Sequence, residues 1–295
     1  ALRYDLYPRY RELFLPQNEN NSEVIFDIQY MKNAYSQGLS HQLYTFTYEW
    51  NSYCPTAALA ECYYTKNGYP VSWNAETQLY ESADPAFDST YPYKDRDPRL
   101  DQSIIMPGTD NGRGTVFLPS SSNHTGMKIR KWNDYTETEK NNSEHNIILI
   151  RFADVLLMRA EALVESGTFD EAEVRGLIDR VRQRPSVMMP KVEDVEGTNL
   201  DATALRAIIR HERRVEFAFE GTRISDIRRW RIGPEVMTDA YGYKYQDVRL
   251  NPPKYIPYKV DTRSFNPNRD YLWPIPQNEI NTNPFINAPN QNPGY

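Results

Sequence analysis

Six charged residues recur at spacings of one to four along one stretch: Glu212, Arg213, Glu216, Glu220, Arg223 and Asp226. Carboxylates and guanidiniums three and four apart meet across helical turns, where they can serve as acid–base machinery or as ion pairs. His211-Glu212 has the opening of a zinc-protease helix. That chemistry needs a second His four positions after the first, and Val215 stands there. The better reading is a partly buried Arg–carboxylate network that fixes one helix against its neighbours. Asp95, Asp97 and Asp101 lack EF-hand spacing and read as a solvated turn. His41, His124, His145 and His211 have no nucleophile context, so no triad is legible. No motif proposes the convergent carboxylates of a glycosidase, although 40 acids leave room for such a pair. With no Cys/His cluster either, the expectation is a protein without metal, cofactor or catalytic residues.

Binding chemistry is better represented. The chain holds 22 Tyr, 5 Trp and 11 Phe. Tyr and Trp offer a flat apolar face with a polar edge, suited to sugar rings, to sticky interfaces and to ordinary loop packing. The net charge of −6 and the absence of a basic stripe argue against nucleic acid. No apolar run is long enough to span a membrane as a helix.

These residues need elements to hold them. At 295 residues, one large domain is as expected as two. Leu2, Leu6, Tyr10, Leu13 and Phe14 have helical spacing over residues 1–15, and this opening lacks a start signal, as if entered midway through a helix. Residues 24–30 are β-branched and aromatic and read as a strand. Residues 31–54 read as a long surface loop, and residues 72–93 as another. Pro55 to Tyr64 reads as a short helix. Its rise of about 12 Å exceeds the roughly 7 Å Cα separation a disulfide tolerates, so Cys54 and Cys62 are expected to be small buried hydrophobes. Asn67-Gly68 signals a turn. Ile148, Phe152, Val155, Leu156, Ala160 and Leu163 form a helical face closed by Gly167, and Thr168 with Glu171 reads as a capping box for a second helix carrying Val174, Leu177, Ile178 and Val181. Two such helices over roughly 35 residues match a tetratricopeptide-type unit. A third helix is expected from Thr203 to Glu220 and a fourth from Arg223 to Trp230. The tail is rich in Pro and Asn, yet Leu272, Trp273, Ile275, Ile280, Phe285 and Ile286 are expected to anchor it on the helices.

Five blocks in order then resemble one family. Residues 150–162, IRFADVLLMRAEA, look like its "R-[YF]-A-[DE]-V-L-L-M-x-A-E-A" helix. Residues 212–221, ERRVEFAFEG, followed by Arg223, Asp226, Ile227, Arg229 and Trp230, look like its "E-R-R-x-E-[LF]-A-F-E-G … R-x-x-D-[LI]-x-R-W" segment. The ending LWPIP … QNPGY resembles its closing motif, and Pro55-Thr56 with Asn67-Gly68-Tyr69-Pro70, and Arg96-Asp97-Pro98-Arg99, also fit. The family is SusD/RagB, and the resemblance spans roughly residues 23 to 295.

That resemblance implies a mainly α protein: tetratricopeptide-like helix pairs packed under a loop-rich ligand face, with a few short strands. It divides the chain into a ligand-face part (1–146), a helical part (147–232) and an extended tail packed on the helices (233–295). It implies a non-catalytic, lipid-anchored outer-membrane protein at the cell surface, partnered by a SusC-like TonB-dependent transporter and a glycan ligand. The anchor Cys and earlier helical repeats have no counterpart in this sequence. The ligand face would draw on the region after the first strand, with Tyr35, Tyr44, Tyr48, Trp50, Tyr53 and Trp73 as candidate rings and Asn33, Gln37, Gln42 and Asn74 as polar neighbours. Peptide capture on the same fold, a polysaccharide hydrolase and a pure helical scaffold are the alternatives.

Overall fold

The computed structural model describes residues 3–295. The first half contains β1 (Val24–Ile28), α1 (Ala57–Glu61), β2 (Val71–Asn74), β3 (Leu79–Ser82), α2 (Arg99–Ser103), β4 (Ile104–Ile105), β5 (Lys128–Ile129) and β6 (Ile147–Arg151). The helical part follows: α3 (Phe152–Glu165), α4 (Glu171–Arg182), α5 (Val192–Val195), α6 (Ala202–Glu216), α7 (Arg223–Arg229) and α8 (Gly233–Val236). β7 (Ala240–Tyr243), α9 (Tyr245–Val248), β8 (Pro257–Asp261) and α10 (Gln277–Thr282) complete the chain. The strands pair into four two-stranded antiparallel units, β1 with β6, β2 with β3, β4 with β5 and β7 with β8.

Helices α3 and α4 form an antiparallel pair that packs on α6. Their buried faces (Leu156, Leu157, Ala160, Val164 against Val174, Ile178, Val181) meet Leu205, Ile208 and Ile209 in one apolar core. Each fully buried aliphatic side chain contributes about 1.5–3 kcal/mol, so this face rather than intrinsic propensity holds the helices. Gly167, at φ +78°, lets the chain turn back after α3. The N-cap of α4 is Asp170, whose carboxylate accepts from Ala172 N at 2.9 Å, so the Thr168–Glu171 capping box is corrected by two residues. Asp201 caps α6 in the same way through Ala204 N at 2.8 Å.

Other expectations are corrected. Leu2 lies outside the described residues. Over residues 3–15 there is a single 3-10 turn, Glu12–Phe14, because Pro8 interrupts the helical pattern, while Tyr10, Leu13 and Phe14 are still buried. Ile148 belongs to β6, where a β-branched run pairs with β1, and not to the helix after it. Residues 71–82 are a hairpin in which Trp73 opposes Tyr80. The helix α6 stops at Glu216, and Phe219 sits at φ +65°. Cys54 and Cys62 are free and only partly buried. In the tail, Leu272, Trp273 and Phe285 are exposed, Phe285 at 91%. The tail is held instead by polar contacts: Arg228 lies 3.7 Å from the Trp273 ring, Tyr271 donates to Arg231 O at 2.8 Å, and Gln291 bonds both N and O of Ile275.

At the centre of the fold lies a buried ion network. Arg99, Lys131, Arg151, Arg182 and Arg184 meet Glu23, Asp97, Glu212, Glu216 and Glu220. Beside it, Arg213 pairs with Asp154 at 2.7 Å and with Asp226 at 3.1 Å. Arg223 is the exception among the six residues of the motif: it joins no ion pair among the described residues, because it turns toward a cavity instead.

Candidate ligand-binding face

Residues 31–54 are a short-turn segment pinned on one side rather than a free loop. His41 exchanges two backbone hydrogen bonds with Ser143, at 3.0 Å each. Tyr44 N donates to Ser143 Oγ at 3.0 Å, Thr47 Oγ1 to Asn133 Oδ1 at 2.9 Å, and Asn141 N to Thr45 Oγ1 at 3.0 Å. The middle of the segment, Thr45–Glu49, is a π-helical turn in which Trp50 N reaches Thr45 O at 2.8 Å. Such wide turns are rare and concentrate at functional sites.

The turn sorts the aromatic side chains into two groups. Tyr44 and Tyr48 stack, with centroids 5.7 Å apart and planes at 18°, and Tyr48 meets Tyr135 edge-on at 6.2 Å. Arg113 lies 4.8 Å from the Tyr48 centroid and Lys128 Nζ 4.7 Å from it. Lys128 also donates to Tyr48 O at 3.0 Å. This group is a brace: Tyr44 is buried and Tyr48 half-buried. The second group faces water. Phe46 packs against Trp50 and Tyr53, each at 5.5 Å, leaving Trp50 51% and Tyr53 59% exposed. Lys140 Nζ sits 5.8 Å from the Trp50 ring and pairs with Glu49 at 2.9 Å.

Tyr35 projects from a 3-10 turn at 48% exposure, and its hydroxyl accepts from Gln42 Nε2 at 2.7 Å. Asn33 is exposed with φ +58°. Its N donates to Asn142 Oδ1 at 2.6 Å, and it borders a hollow with Lys32, Glu137 and Glu139. Trp73 and Asn74 stand apart. Trp73 packs on Tyr80 at 5.1 Å, at the edge of the buried Tyr63–Tyr80–Tyr93–Tyr243–Tyr255 core. Asn74 is occupied in its hairpin turn, accepting from Glu76 N and Thr77 N and donating to Glu81. Sequence reasoning missed Phe46, Arg113, Lys128, Tyr135 and Lys140. Phe46 and Trp50 are four apart, as are Tyr44 and Tyr48, and that double period was a readable signal. The Gly112-Arg113-Gly114 triplet was another: a Cβ on Gly112 would lie 2.0 Å from the Tyr135 ring.

Below the segment lies an isolated buried pair. Glu137 Oε2 is 3.8 Å from His145 Nδ1, and neither side chain has a protein hydrogen-bond partner. Burial raises the Glu137 carboxyl to about 7 and lowers the His145 imidazole to about 4, so both favour their neutral forms.

The geometry can therefore stack planar rings and offer polar edges to them. Comparison with known proteins gives a consistent picture. The SusD family model matches residues 22–295. SusD-like protein P2 of Formosa agariphila is 36% identical over 173 residues, covering 57% of this chain and 30% of that protein. A crystal structure of a SusD-like carbohydrate binding protein from Bacteroides fragilis superposes with a TM-score of 0.77 at 32% identity, covering 95% of this chain and 57% of that one. A second SusD-like protein from the same species gives 0.75 at 28%, covering 99% and 59%. The chain thus spans less than two thirds of the length of each of these relatives. The mainly α architecture with its tetratricopeptide-like helix pair is theirs.

Proposed function

The chain belongs to the SusD family, and from that premise we propose that it captures oligosaccharide at the cell surface, without cleaving it, for a SusC-like TonB-dependent transporter. In this reading the full-length protein is held at the outer membrane by a lipid anchor. The observation that carries the reading is the set of exposed rings Tyr35, Trp50 and Tyr53 on a segment pinned to residues 133–143. Pre-ordered rings lose little conformational freedom when a ligand lands, which favours binding. Gln42, Glu49 and Lys140 stand beside them as hydrogen-bonding edges. Tyr44, Tyr48 and Arg113 brace the same segment, and Trp73 and Asn74 belong to a separate hairpin. The Bacteroides fragilis relative named as carbohydrate binding agrees with a sugar ligand.

Isothermal titration of the full-length protein against a panel of glycans and peptides tests this. Binding to a glycan is expected, and Trp50→Ala or Tyr53→Ala should weaken it about tenfold each, the scale of one lost aromatic contact. Heat from peptides but from no glycan would replace the sugar by a peptide. Product release from a labelled polysaccharide would remove the non-catalytic reading.

A further inference from the structure

A cavity of about 420 Å³ opens between α1, the end of α6, α7 and β7. Its walls are of two kinds. Leu59, Phe219, Ile224, Val236, Met237 and Tyr241 make an apolar lining. Arg214, Arg223 and Arg263 make a cationic one. Arg214 spends one N–H on Ala58 O at 2.7 Å. Arg223 and Arg263 donate to no protein group among the described residues. The two acids in the lining are already committed: Asp226 to Arg213 at 3.1 Å and Arg229 at 2.9 Å, Asp239 to Lys259 at 3.4 Å.

Arg214 and Arg223 are half-buried and Arg263 is exposed at the rim. Half-buried guanidiniums are costly to hold side by side, since burial weakens their hydration and like charges repel. Arg223 shows both effects: burial first, then the charge of Arg214, lowers its pKa. A planar fork of N–H donors matches an oxyanion bidentately. The apolar wall opposite suits the C–H face of a ring, and the volume is that of a small-ligand site.

We propose that this cavity is a second binding site, selective for a sugar residue carrying a carboxylate or a sulfate ester. This rests on the reading that the protein captures glycans, and it adds the ligand class: an acidic polysaccharide whose charged residue enters the arginine-lined cavity.

The test is titration of the full-length protein with a galacturonate trimer, a sulfated galactose trimer and a neutral maltotriose, at low and high salt. At least one acidic trimer is expected to bind tenfold or more tightly than the neutral one, with the advantage shrinking as salt rises. Comparing the two acidic arms separates carboxylate from sulfate recognition. Arg223→Gln should remove that advantage and leave the neutral affinity unchanged, while Arg223→Lys restores part of it. The melting temperature of Arg223→Gln should stay level or rise, because no bond is lost and a like-charge contact is relieved, so misfolding cannot imitate the result. Neutral binding with no acidic preference, as when another segment of the longer protein fills the cavity, overturns the second site and spares the capture reading. An acidic preference that survives Arg223→Gln and Arg263→Ala together also overturns it. Absence of binding to all three trimers and to the wider glycan panel sinks both.

Discussion

Glu216 is gripped by three guanidiniums at once: Arg99 at 3.0 Å, Arg151 at 2.7 Å and Arg184 at 2.8 Å. Burial by itself would push its carboxyl up, yet Arg184, Arg151 and Arg99 hold it well below the ordinary carboxylate range. Lys131 shows the converse. Burial lowers its ammonium to about 8, with Glu220 at 2.5 Å opposing the drop. A charge removed from such a network strands its partners in a dry site, so Glu216→Ala should cost about 3–5 kcal/mol in urea denaturation. The exposed Arg206–Glu165 pair at 2.6 Å offers the contrast, and Glu165→Ala should stay within about 1 kcal/mol. Equal losses in the two variants would contradict a structural role for the network. The roles within the charged stretch of residues 212–226 thus separate by residue: Glu212, Arg213 and Glu216 fasten the fold, while Arg223 faces a cavity.

At the scale of elements, the π-helical turn depends on a brace remote in sequence. Gly112, at φ +84°, lets the 110–114 loop pass against Tyr135, which supports Tyr48 from the other side. Gly112→Ala would place its Cβ 2.0 Å from that ring and strain the backbone as well. It should lower stability by about 1–2 kcal/mol and speed proteolysis within residues 44–53, with α3 and α4 unaffected. Unchanged cleavage there would disconnect the loop from the turn. The same contrast explains what was legible beforehand. α3, α4 and α6 could be read because each buries a face repeating on its own 3.6-residue period. The β2–β3 hairpin could not, since its logic is the cross-strand pair Trp73–Tyr80, visible only once the strands meet. The tail misled because Leu272 and Phe285 look like core residues by type yet stay exposed, whereas Trp273 meets Arg228 of α7 while exposed, and Gln291 and Tyr295 tie the tail to itself. Of the ligand-face candidates, Tyr35, Trp50 and Tyr53 were identifiable by type and region. Their exposure, and the supporting role of Tyr44 and Tyr48, depend on which residues land four apart on a wide turn.

For the molecule as a whole, α6 is a shared spine. Its Leu205, Ile208 and Ile209 sit in the helical core, its Val215 in the tyrosine-rich core with Tyr63, Tyr80 and Tyr243, and its Glu212 and Glu216 in the ion network between them. Acid should therefore dissolve both cores together. Burial opposes ionisation of Glu23, Glu212 and Glu216, but the neighbouring arginines prevail and depress all three pKa values. Their contribution is complete above the ordinary carboxylate range and is lost as pH falls below it. His145 and His211, lowered by burial to about 4 and about 3, act in the same direction from higher pH, since unfolding lets each take up a proton below its ordinary value of 6.5. Glu137 opposes them. Burial raises it to about 7, so its contribution is complete below 4.5 and is lost as pH rises through 7. Between 4.5 and 6.5 folding in effect moves a proton from His145 to Glu137, and the two slopes nearly cancel. Melting temperature should thus decline from pH 6.5 to 4.5, driven by His211 and by His41, which burial also lowers, and more steeply below that, in a single transition seen alike by far-ultraviolet circular dichroism and tyrosine fluorescence. Glu137→Gln removes the opposing slope, so its melting temperature should fall more sharply than the parent's across that same window. Parallel curves for the two proteins would show that the Glu137–His145 pair does not trade a proton on folding, and two separated transitions would show that α6 does not join the cores.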